Sequence, residues 1–200
     1  MRLIVVSSES LFEEESDWIN RMMSAYDFVL HLRKPHSTEE DVEKLIQKID
    51  KRHYGRVVLH DHFSLASKYN LMGVHLNFRN PQVGMEGEYW SNCSISRSCH
   101  SIQDISDCKE LYSYVTLSPI FDSISKCGYK ANFSDGIIKK AKCDGIIDNK
   151  VVALGGISSS NIESAKEMGF GGVAVLGTIW KQPTIEEAFK ELDELTYKLK

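Results

Sequence analysis

The amino-acid sequence predicts an α/β protein, a (βα)8 barrel of the TIM type, forming one domain over residues 1–200. Three observations carry this expectation. Short runs rich in Val, Ile and Leu recur along the chain, with helix-period segments between them. Most of these runs lack in/out alternation, as strands buried on both faces of a parallel sheet do. The last two end in glycine-rich turns, the place where such barrels hold phosphate. Strand–helix alternation implies a parallel sheet, and eight units can close into a barrel. An open doubly wound sheet is the alternative, weakened because no G-x-G-x-x-G follows the first strand.

In chain order the candidate strands are Leu3–Val6, Phe28–Leu32, Arg56–His60, Gly73–Leu76, Cys93–Ser96, Tyr114–Leu117, Val151–Leu154 and Gly172–Val175. The first helix is read as Leu11–Ser24, opening after Ser10 with Glu13, Glu14 and Glu15 where the helix dipole favours negative charge. Ser37-Thr38-Glu39-Glu40 is a capping-box start, followed by Val42, Leu45, Ile46 and Ile49 at helical spacing. Phe63–Tyr69, Ser101–Cys108, Phe133–Cys143 and Ser160–Met168 are the next helices. Pro183 is placed at the opening of the last, where its missing N–H costs nothing, with Ile185, Ala188, Phe189, Leu192 and Leu195 as its apolar stripe. Asn77–Ser91, broken by Pro81, Gly84 and Gly87, makes one unit degenerate.

Composition narrows the function. A chain of 200 residues with 42% hydrophobic residues buries a core without staples. A net charge of −4 argues against a nucleic-acid surface. The five cysteines, an odd number with no C-x-x-C, read as reduced thiols of a cytoplasmic protein. The apolar run Leu3–Val6 is too short for a signal peptide or a membrane span.

The sharpest local signal lies in Val151–Ser158 and Gly169–Thr178, each a strand running into glycines and then a helix. Glycine lets backbone N–H groups approach an anion closely. A single Gly-Gly turn is better read as a tight turn; two, in the last two units, favour phosphate.

Strand ends point into a barrel's active site. They offer His31, Arg33 and Lys34; His60, Asp61 and His62; His75, Asn77 and Asn80; Ser98 and His100; and Ser118, Ser123, Ser125 and Lys126. Basic groups in a slightly acidic protein suggest an anionic substrate. A solvated turn before Pro35 accounts for Arg33 and Lys34 equally well, and a flexible loop cation is the better reading of Lys126 taken alone. The histidine spacing gives no support for a transition-metal site.

Assembled, these segments resemble the superfamily of thiamine phosphate synthase and thiazole tautomerase. Leu117-Ser118-Pro119-Ile120-Phe121 with Ser123, Ser125 and Lys126 resembles the synthase loop Gly-Pro-x-Phe/Tyr-Pro-Thr-x-Thr-Lys. Ser98-Cys99-His100 resembles its Ser-x-His, and Gly155-Gly156-Ile157 and Gly172–Thr178 its thiazole-phosphate loops. The resemblance implies a transferase of thiamine biosynthesis, joining a pyrimidine methyl diphosphate to a thiazole phosphate with release of pyrophosphate. It implies Arg33 and Lys126 on the diphosphate, Asp61 and Asn80 on Mg²⁺, and Ser98 beside the pyrimidine. Ser123, Ser125, Gly155, Gly156, Gly177 and Thr178 would hold the thiazole phosphate. His31 and His60 stand where the family has Gln and Asn, Pro35 where it has Lys, and Asn80 where it has a second carboxylate. Lys34 is the candidate substitute for the missing lysine. The alternatives are a tautomerase-like isomerase, whose sixth-loop histidine is Pro119 here, and a non-catalytic thiazole-phosphate binder. His31, His60, His62 and His100 are the candidate bases for the isomerase. A homodimer is expected, with no nucleic-acid or membrane partner.

Overall fold

A computed structural model describes residues 1–82, 84, 88–122 and 132–200. Eight parallel strands close into a barrel in sequence order, with β1 (Arg2–Val6) pairing both β2 (Val29–Leu32) and β8 (Gly172–Val175). Between these lie β3 (Val57–Leu59), β4 (Gly73–Leu76), β5 (Ser94–Cys99), β6 (Tyr114–Leu117) and β7 (Val151–Leu154). Every strand expected from the sequence is present; β4, β6, β7 and β8 have the expected ends, and β1, β2, β3 and β5 have ends shifted by one to three residues.

Most strand positions outside β5 are buried, so burial alone hides the alternation, but the packing shows it. Leu3, Val5, Leu30, Leu32, Leu59, Val115 and Ala153 face the helices in one large apolar cluster. Ile4, Val6, Tyr114, Val152 and Ala174 form a second cluster inside the barrel. Strand register carries the inward set through His31, paired with Val6 and Val58, and through His75, paired with Ser96.

The helices follow local chemistry. In α2 (Glu39–Lys48) the Thr38 hydroxyl accepts from Asp41 N–H at 3.2 Å, and Val42, Leu45 and Ile46 are buried. The first helix, α1, spans Glu15–Ala25, not Leu11–Ser24. Its first residue is pulled inward as the partner of Lys34, whose ammonium also takes the Ser8 and Ser10 carbonyls at 2.8 and 3.0 Å. The Ser10 carbonyl is turned to that ammonium, and the helix begins only at Glu15. After α3 (Ser64–Lys68), α4 is only Glu88–Asn92, as the Pro/Gly-broken stretch required. Then come α5 (Ile102–Cys108), capped by Ser101, α6 (Asp135–Cys143) and α7 (Ile162–Glu167). A four-residue α8 (Gly177–Trp180), not expected from the sequence, precedes α9 (Ile185–Leu199). The last helix is capped by the Thr184 hydroxyl, which leaves Pro183 just outside it. No helix of the described residues is long and apolar enough to cross a membrane.

Candidate active site

A cavity of about 380 Å³ opens at the carboxyl ends of the strands. Its floor is the outer layer of the inward-facing residues: His31, His60, His75, Ser98 and Thr116. Arg33, Glu9, Arg79 and Phe78 stand at one side, and Gly155, Gly156, Gly177 and Thr178 at the other.

The three histidines bring ring nitrogens within 4.8 Å of one another, an arrangement that chain spacing did not reveal. Two hydrogen-bonded chains order them. His31 lies 2.6 Å from the Tyr114 hydroxyl through Nε2 and 2.9 Å from His60 Nε2 through Nδ1. His75 lies 2.8 Å from Ser96 Oγ through Nδ1 and 2.8 Å from Ser98 Oγ through Nε2. Burial holds all three imidazoles neutral. It pushes His75 down to about 3, and it depresses His31 and His60 well below the usual range, aided by neighbouring His75. Burial likewise lifts the Tyr114 phenol to about 12. The floor is thus polar, uncharged and fixed in orientation. Thr116 Oγ1, in the same layer, is buried with no hydrogen-bond partner among the described residues. A bare buried hydroxyl lining a cavity is a group to which a ligand can donate or accept.

The glycine turns do two things. Gly155 and Gly156 adopt φ of +98° and +67°, which L side chains disfavour. A Cβ on Gly156 would sit 2.3 Å from the Asp122 carbonyl oxygen, so the loop after β7 lies flush against the chain after β6. The Thr178 hydroxyl donates to the Ile157 carbonyl at 2.5 Å, tying the loops after β7 and β8 together. That leaves backbone N–H groups as the anion donors. Those of Gly156, Gly177 and Thr178 enter no turn, loop or cap hydrogen bond among the described residues.

A model of the thiamine monophosphate synthase family matches residues 3–179. The chain belongs to that family. Thiamine-phosphate synthase of Serratia proteamaculans is 28% identical over 185 residues, covering 90% of this chain and 86% of the relative. A solved thiamine phosphate pyrophosphorylase from Bacteroides thetaiotaomicron superposes with a TM-score of 0.89 at 34% identity, covering 100% and 98% of the two chains. The Pyrococcus furiosus thiamine phosphate pyrophosphorylase, at 19% identity and TM-score 0.77 over 99% and 95% of the two chains, shares the fold.

Within this family frame, the residues singled out from the sequence fall into four groups. Arg33, His31, His60, His75, Asn77, Ser98, His100, Ser118, Gly155, Gly156, Gly177 and Thr178 line one cavity. Asp61 and Asn80 lie together beside it, Asn80 Nδ2 donating to Asp61 Oδ1 at 2.9 Å. Ser123, Ser125 and Lys126 lie outside the described residues. The fourth group is corrected. Lys34 does not replace the missing lysine, because its side chain is 1% exposed and locked on Glu15 at 2.6 Å. His62 Nε2 donates to the Ser37 carbonyl at 2.9 Å and does not line the cavity, so it is no candidate base. His31, with both ring nitrogens occupied, is a support for His60 and not a free base.

Arg79 and Tyr114 escaped the sequence reading. Arg79 sits three residues beyond β4, on the turn that carries Asn77 and Asn80, and the strand-end rule covers it. Tyr114 opens β6 and shares inward parity with Thr116.

Proposed function

We propose that this chain is a thiamine phosphate synthase, joining a hydroxymethylpyrimidine diphosphate to a thiazole phosphate and releasing pyrophosphate. The observation that carries the reading is the single cavity in which Arg33 and Ser98 face the paired glycine turns. The two phosphorylated substrates need two anion sites with a polar, neutral space between them; Arg33 at one side of the histidine floor and the glycine turns at the other support that reading. The biosynthetic role fits a cytoplasmic protein.

In the reaction the benzylic C–O bond of the pyrimidine breaks and its electron pair leaves on the diphosphate. The thiazole nitrogen then gives its lone pair to the methylene carbon, forming the new C–N bond. Arg33 binds the departing diphosphate, and Lys126 is assigned the same task. Ser98, oriented by His75, hydrogen-bonds the pyrimidine edge. The N–H groups of Gly156, Gly177 and Thr178 hold the thiazole phosphate, with Ser123 and Ser125 assigned beside them. The uncharged histidine floor keeps water's nucleophilic competition low by leaving no ion to hydrate.

Magnesium is the cofactor that the family resemblance implies, held by Asp61 and Asn80. The donor set does not fit a dication. Asp61 Oδ1 accepts from Arg79 Nη2 at 3.0 Å and from the Asn80 amide at 2.9 Å, and Oδ2 accepts from the Lys34 N–H at 3.3 Å. Hard cations take lone pairs, mainly from charged oxygens. Here one carboxylate is already matched by a guanidinium, and its neighbour turns donors toward it.

The test is chromatographic detection of thiamine phosphate from the two substrates. Formation well above the no-protein rate is expected, falling at least about tenfold in both Arg33→Ala and Ser98→Ala. A folded protein that binds thiazole phosphate but yields no product would overturn the synthase reading.

A further inference from the structure

Two guanidinium groups meet at the cavity mouth, each resting on a carboxylate. Arg33 Nη1 lies 2.5 Å from Glu9 Oε1, and Arg79 Nη2 lies 3.0 Å from Asp61 Oδ1. Both positive charges bear on the His60 imidazole, which places them at one corner of the cavity. Arg79 is held there by a built turn. Asn77 and Asn80 bond each other through backbone N–H and carbonyl at 3.1 Å in both directions. Their side-chain amides both donate to the His60 carbonyl, at 3.0 and 2.9 Å. The Arg79 N–H donates to Asn77 Oδ1 at 3.0 Å. Asp61 engages one of the five guanidinium donors, and the side chain stays 39% exposed at the mouth.

We infer that Arg79, together with Arg33, forms a metal-free clamp for the substrate diphosphate, in the place where the family uses magnesium. This rests on the synthase reading above. Each carboxylate at this corner is balanced by a guanidinium, so the corner carries no net negative charge to draw a dication. A diphosphate, by contrast, meets two planar forks whose paired N–H groups match its oxygens. Its multiple charge outcompetes the single charges of Glu9 and Asp61 for those donors. As the C–O bond breaks, the electron pair on the leaving oxygen is stabilised by charges already in position. Asp61 then acts as a positioning residue that aims Arg79. The loss of the second carboxylate at Asn80 and the gain of Arg79 are two halves of one exchange.

The experiment uses inorganic pyrophosphate as the probe, titrated calorimetrically into the protein in excess EDTA, alongside thiamine phosphate formation in the same buffer. Binding and turnover are both expected to persist in EDTA within about twofold of their values with Mg²⁺. Arg79→Ala should weaken pyrophosphate binding at least about tenfold, with partial recovery in Arg79→Lys, as for a lost charge-assisted bond. Arg79 is partly exposed, so the variants fold; an unchanged circular dichroism spectrum checks this. Pyrophosphate binding or turnover that vanishes in EDTA and returns with Mg²⁺ would overturn the clamp while leaving the synthase reading intact. So would an Arg79→Ala variant that binds pyrophosphate as the parent does. Metal-free pyrophosphate binding that depends on Arg79, without thiamine phosphate under any condition, would keep the anion clamp and remove the synthase reading.

Discussion

Acidification from pH 7.5 to 5.5 should cost the folded state about 4 kcal/mol through its three core histidines. Imidazole in the unfolded chain titrates near 6.5, and His31, His60 and His75 are held well below that by burial. The folded protein therefore refuses protons that the unfolded chain accepts. The associated stability is fully present above the unfolded value and is lost as pH falls through 6.5 toward the folded one, about 3 for His75. Over the stated interval each neutral imidazole contributes about 1.4 kcal/mol, so three give roughly 4. Two further groups bear on the figure in opposite directions: burial raises Glu15 above its usual range, which opposes the trend, and lowers His53, which adds to it. Against a typical total of about 5–15 kcal/mol the loss is large. Urea unfolding followed by circular dichroism at pH 7.5, 6.5 and 5.5 measures it. His75→Gln should flatten the pH slope by about a third. A change below about 1 kcal/mol across the interval would refute the picture of three uncharged imidazoles in the barrel.

Three further outcomes follow from single contacts. Glu15→Gln leaves the Lys34 ammonium buried without its counter-charge and should lower stability by about 3–5 kcal/mol in urea unfolding at pH 7.5; a loss under about 1 would contradict the buried pair. Tyr114→Phe keeps the ring but strips His31 Nε2 of its partner, which should cost about 1–3 kcal/mol by the same measurement. Gly156→Ala forces a side chain into left-handed backbone against the Asp122 carbonyl, costing at least about 1–2 kcal/mol. Its KM for the thiazole phosphate should rise more than that for the pyrimidine diphosphate, and equal changes would dissociate Gly156 from the thiazole end.

The barrel was legible because each unit is local. Val151–Leu154 and Gly172–Val175 declare themselves by composition, and Thr38 and Ser101 cap their helices through bonds spanning three residues. The glycine turns were equally plain. What the sequence hid was pairing across the barrel. Lys34 reads as a solvated cation until α1 brings Glu15 beneath it, 19 residues away. The three-histidine floor depends on strands β2, β3 and β4 lying side by side, and no spacing rule along the chain contains that information. Inward parity would have found it: Val29 and His31 share a face, as do Gly73 and His75. Arg79 carries no signal of its own along the chain, standing one residue before the position, Asn80, where the family has its second carboxylate.

The absent side chain at Gly156 has a kinetic consequence. With nothing between them, the turn after β7 packs directly on residues 119–122 and is hydrogen-bonded to them, and those residues precede Ser123–Lys126 in the chain. A phosphate group that settles on the turn would bear on the root of the segment that carries Ser123 and Ser125, proposed for that same phosphate, and Lys126, proposed for the diphosphate. On the proposed roles, occupancy of the thiazole-phosphate end would bear on the diphosphate end before any bond breaks, and an ordered encounter of the two substrates is the expected kinetic pattern.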